Sequence, residues 1–106
     1  MKERRSSGAR RPDPEVRQQA AEQLAIAALG FIAGEPERLG RFLALTGIGP
    51  ESIRAAAREP NFLLGVLDHV AGDESLLLAF AEQSGIDPDD VARARAALAG
   101  ETPEAP

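Results

Sequence analysis

Two segments of this chain, 38 residues apart, spell nearly the same corner, and a corner of that kind joins two helices. The first reads Thr46-Gly47-Ile48-Gly49-Pro50-Glu51-Ser52-Ile53, the second Ser84-Gly85-Ile86-Asp87-Pro88-Asp89-Asp90-Val91. The likeness runs without a gap from Leu39 against Leu77, through Phe42 against Phe80, to Ala57 against Arg95. Each position has a physical task. Glycine accepts the left-handed backbone that ends the first helix. The isoleucine turns inward between the two helices. Gly49 or Asp87 stands at the N-cap, and proline takes the first helical position, where its missing N–H is no loss. The acids at 51, 89 and 90 complement the helix dipole, and Asp87 and Asp90 have capping-box spacing. The repeat predicts two helical hairpins.

Between these corners the apolar residues recur at helical spacing, and no segment alternates with period two. Helix 1 is expected from an Asp13 N-cap, with Pro14 first, to Ala33, with Gly34 as left-handed cap. Helix 2 follows from Pro36 to Gly47, helix 3 from Pro50 to just before Pro60, and helix 4 from about Asn61 to Ala71. Helix 5 opens at Asp73, and helix 6 runs from Asp87 to Gly100. The predicted fold is all-α: a compact orthogonal bundle of about six short helices, with two pseudo-repeated hairpins joined by helix 4 as connector. Residues 13–100 form the single helical domain expected for this length. It lies between a disordered basic tail, 1–12, and a frayed tail, 101–106.

Leu, Ile, Val and Phe make up about a quarter of the chain, enough to fold. Twenty alanines favour helix and let helix axes approach, but they leave a thin core. Helix 1 is apolar on all sides from Leu24 to Ile32, and helix 5 nearly so from Leu76 to Ala81. A small domain cannot cover every side of such helices with its own neighbours. The excess points to a homodimer, or another protein partner, docking on Leu24, Ile26, Leu29, Phe31, Leu76 and Leu78.

Charge narrows the partners. Residues 1–12 carry five bases against one acid, and the remainder seven bases against sixteen acids. An acidic body repels polyanions at long range, which disfavours nucleic acid and anionic membranes for the domain itself. The longest uncharged apolar run, Leu24–Gly34, is too short for a membrane span of about 20 residues. The leader lacks the apolar core of a secretory signal, so a soluble cytoplasmic protein is expected.

The first corner, Leu45-Thr46-Gly47-Ile48-Gly49-Pro50-Glu51, resembles the hairpin of the helix-hairpin-helix motif. That resemblance implies DNA phosphates held by the backbone N–H groups of Gly47, Ile48 and Gly49, with Arg54 or Arg58 as nearby cations. The sequence departs from the motif at Glu51, and the second corner places Asp87, Asp89 and Asp90 where a phosphate would sit. A tight helix–helix turn accounts for both corners, acids included. Over about residues 16–100 the chain resembles a family of short uncharacterised bacterial proteins classed as a domain of unknown function. Glu37–Pro50, Ser75–Phe80 and Gly85–Pro88 carry that likeness, and it brings no activity to transfer.

No catalytic constellation emerges. Absent cysteine and a single histidine, His69, argue against disulfides, thiol nucleophiles and zinc. Asp68 and His69 are adjacent and do not face each other on a helix, so His69 is read as a boundary residue. Capping explains Asp87, Asp89 and Asp90 without a metal ion. Arg38 and Arg41 are expected to be solvated, pairing with Glu35 or Glu37. A non-enzymatic protein–protein interaction module without cofactors or metals is the first expectation, and a degenerate tandem helix-hairpin-helix module the alternative.

Overall fold

The computed structural model describes residues 14–100; the expected tails, 1–12 and 101–106, and the Asp13 cap lie outside the described residues. Six α-helices follow in order: α1 (Pro14–Ala33), α2 (Pro36–Thr46), α3 (Ile53–Ala56), α4 (Pro60–Ala71), α5 (Glu74–Ser84) and α6 (Pro88–Leu98). One 3-10 turn, Pro50–Ser52, leads into α3. The described residues contain no strand. Proline opens α1, α2, α4 and α6, and the residue before it is extended at Glu35, Glu59 and Asp87, as ring sterics require.

The core sits where α1, α4 and α6 meet. Ala25, Ala28 and Ile32 of α1, Val66, Leu67 and Val70 of α4, and Val91 of α6 have no solvent exposure. The connector expected between two hairpins is thus itself central. Helices α2 and α5 flank this trio and each inserts one phenylalanine. Phe42 and Phe80, equivalent in the repeat, are both fully buried. Phe42 makes T-shaped contacts with Phe62 and His69 at centroid distances of 5.9 and 5.1 Å, and Phe80 packs on Phe31 at 5.4 Å.

The two corners bend alike. Gly47 and Gly85 are both left-handed, at φ 75° and 70°, and Gly49 and Asp87 are both extended. Past the bend the two copies diverge. At the second corner Ile86 N–H returns to the Ala81 carbonyl at 3.0 Å, and Ile86 packs on the core. At the first, Ile48 N–H donates to Thr46 Oγ1 at 3.3 Å. Asp87 and Asp90 close a full capping box, and α6 then runs eleven residues. Gly49 has no side chain to cap with, and Pro60 falls where the second copy has the buried Leu98. The first arm is therefore cut to a 3-10 turn and a four-residue helix.

The end of α1 departs from expectation. Gly34 is not left-handed: positive φ occurs at Gly47, Gly85 and Gly100 among the described glycines. Gly34 N–H and Glu35 N–H instead donate to the Phe31 and Ile32 carbonyls at 3.3 and 3.4 Å. This tightened turn satisfies the Phe31 and Ile32 carbonyls and leaves Glu35 extended to enter Pro36.

Candidate interaction face

A groove of about 600 Å³ runs between α1 and α6. Ala20, Ala21 and Leu24 form one wall, and Ala94 and Ala97 the other. Alanines facing each other draw two helix axes together but leave the cleft above them unfilled. Arg17 and Arg93 border it, and Arg93 Nη2 is held by Asp90 Oδ1 at 3.2 Å. Beside the groove, the outward surface of α1 is uncharged from Leu24 to Gly34 and exposes Ile26 by half; one turn before Ala20, Val16 is 55% exposed.

The six residues expected at an interface separate into three groups. Leu24 lines the groove half-buried, and Ile26 and Leu78 are exposed, Leu78 on α5. Leu76 is half-buried against the core. Leu29 and Phe31 are corrections: both are buried in the chain's own core, where Phe31 meets Phe80. A helix apolar on every side cannot reveal which sides its neighbours will cover. Sequence reasoning passed over Val16 and the groove alanines; Ala94 and Ala97, three apart and so on one face of α6, were the available signal.

At the first corner, Gly47 N–H donates to the Leu43 carbonyl at 2.8 Å, and Ile48 N–H to Thr46 Oγ1. Thr46 Oγ1 in turn donates to the Phe42 carbonyl at 2.9 Å. The Glu51 carboxylate folds over Gly49, where an added Cβ would come within 2.7 Å of Oε2. Arg54 and Arg58 are exposed on the short arm.

A smaller polar cleft of about 180 Å³ lies between α2 and the α4–α5 junction. Arg38 Nε is 3.6 Å from Glu35 Oε1, and its guanidinium carbon stands 4.1 Å above the Phe31 ring. Arg41 reaches Asp73 at 3.9 Å, while the other Asp73 oxygen caps α5 by accepting from Leu76 N–H at 3.2 Å. Burial holds the His69 pKa below its ordinary 6.5; Asp73 opposes that shift, and Arg41 adds to it. Asp68 turns away from His69 to meet Arg95 of α6 at 2.6 Å. Among the described residues no group of three or more His, Asp or Glu is placed to hold a metal ion, and no helix is long and apolar enough to cross a membrane.

A family model described as "Protein of unknown function (DUF3572)" matches residues 18–101. The chain belongs to that family. The matched span takes in both corners and all six helices except the first turn of α1, in agreement with the likeness read from residues 37–50, 75–80 and 85–88. No curated protein and no solved structure matches the chain.

Proposed function

We propose that this chain is a non-enzymatic interaction module that works by protein–protein contact, with a second copy of itself as partner. The groove between α1 and α6 carries the reading: it is about 600 Å³, walled mainly by alanines and Leu24 with Arg17 and Arg93 at its border, and it meets the uncharged stretch of α1 at Leu24. Burying such surface releases roughly 25 cal/mol per Å², and contiguous apolar patches on small proteins mark contact sites. The polar side chains support it from the other direction. Among the described residues, Asp68, Asp73, Asp87 and Asp90 are engaged in ion pairs and helix caps.

Sedimentation velocity over a wide concentration range tests the reading. The expected mass climbs from the monomer toward twice that value, and Ala97→Glu, which sets a charge in the groove, holds the chain monomeric. A monomer mass at every concentration overturns the proposal. The helix-hairpin-helix alternative forecasts binding of duplex DNA at low salt that survives removal of residues 1–12 and is lost in Gly49→Asp. The Glu51 carboxylate over Gly49 weighs against it, since like charges about 4 Å apart repel by roughly 1 kcal/mol even in a water-like dielectric.

A further inference from the structure

One wall of the groove is α1, and the outer surface of that helix carries a pattern of its own. Val16, Ala20, Gln23, Ala27 and Gly30 follow at intervals of four, three, four and three, and all five are exposed. That spacing keeps the five on one stripe of the helix, at the four-three interval by which paired helices meet. It shares Ala20 with the groove, and Ile26, half exposed, flanks it on the far side. No charge interrupts it. Gly30 answers no need within its own chain, because an added Cβ would meet nothing within 4 Å. A glycine there lets another backbone approach from outside.

We propose that a second copy of the chain docks on this seam, α1 against α1 in antiparallel order, with the two-fold axis near Gln23. The inference rests on the self-association reading above and specifies its geometry. The seam reads almost the same in both directions, so antiparallel pairing sets Val16 against Gly30 and, one residue out of exact register, Ala20 against Ala27, with the largest aliphatic residue opposite the one with no side chain. Gln23 then faces its own copy. A primary amide both donates and accepts, so two of them pair reciprocally, and one polar residue in an apolar seam fixes register. Parallel pairing would crowd Val16 on Val16 and leave a gap at Gly30.

The area is adequate. Twenty residues of helix span about 30 Å, and the adjoining α6 flank, with axes about 8–10 Å apart, widens the face to roughly 20 Å. That is about 600 Å² in projection per copy, close to the ~800 Å² per partner of a standard interface. The two-fold axis also keeps both α1–α6 grooves on the same side of the seam, so they adjoin.

The chain has no cysteine, so single introduced thiols report cleanly on proximity. Under mild oxidation of the full chain, Gln23→Cys is expected to give disulfide-linked dimer at least tenfold faster than Ser75→Cys, an exposed control on α5. Ala27→Cys is expected to link poorly with itself and readily with Ala20→Cys. Gln23→Cys linking no faster than the control overturns the seam. Ala27→Cys linking to itself as fast as Gln23→Cys overturns the antiparallel order. A Gln23→Cys thiol that resists alkylation until residues 1–12 are removed assigns the face to the chain's own leader, and also overturns it. Sedimentation of the same samples separates the two proposals: dimer mass without cross-linking sinks only the seam, while monomer mass sinks the self-association reading as well.

Discussion

Three glycines stand in helix interiors with open space beside them: Gly30 in α1, Gly40 in α2 and Gly65 in α4. An added Cβ at any of them meets nothing within 4 Å, so alanine brings its helix preference with no clash to offset it. That preference is about 0.8–1.0 kcal/mol in a helix interior. In a domain of this size 1 kcal/mol moves the melting midpoint by roughly 4–8 °C. Each single Gly→Ala variant should therefore melt several degrees higher when scanned dilute. Concentrated, the three diverge. Gly40→Ala and Gly65→Ala are expected to keep their gain and Gly30→Ala to lose it, because in the proposed dimer its methyl lies between two α1 helices and weakens an association that would stabilise the chain by mass action. Scanning calorimetry at two concentrations, far below and far above the dimer midpoint, reads both effects. Failure of Gly40→Ala and Gly65→Ala to gain when dilute would refute the reasoning from helix preference and open space. Equal gains for all three at both concentrations would refute the placement of Gly30 in a contact.

Phe80→Ala empties a fully buried site against Phe31 and should cost about 3–5 kcal/mol, a large part of the roughly 5–15 kcal/mol typical of a whole domain. Leu45→Ala, at a residue 70% exposed, should stay within about 0.5 kcal/mol; urea midpoints that rank the two the other way contradict the core described above. Asp87→Ala removes one half of the α6 capping box and should lower stability by about 0.5–2 kcal/mol, with no such loss for Ser52→Ala, which makes no side-chain cap bond at the equivalent corner. Since burial lowers the His69 pKa, the unfolded chain holds a proton that the folded chain releases. Its contribution to stability is therefore complete above the ordinary pKa of 6.5 and is lost as pH falls through that value toward the folded one. Urea titrations between about pH 5 and 7 should show that slope in the wild type and a flatter one in His69→Gln; equal slopes would remove His69 as its source.

The capping residues show how far local chemistry reaches. Gly47 and Gly85, each followed by isoleucine and by proline three residues on, produce the same left-handed bend in the structure that their spacing predicts. Asp87 and Asp90 close the capping box their separation suggests. Such features are legible because every participant lies within a few residues of chain. Gly34 marks the limit: glycine permits a left-handed cap without imposing one, and Pro36 two residues later is served by a tighter turn.

The amino-acid sequence alone determined that the chain is helical and where its helices begin and turn. Only the tertiary structure decided that α6, rather than its shorter counterpart, joins α1 and α4 at the centre, that Leu29 and Phe31 face inward while Ile26 and Val16 stay outside, and that alanines of α1 and α6 line a groove. The reason is physical. Caps and turns are settled by neighbours along the chain, whereas burial is settled by competition among distant helices for the same small volume. On a helix with apolar residues on every side, nothing local marks which side wins.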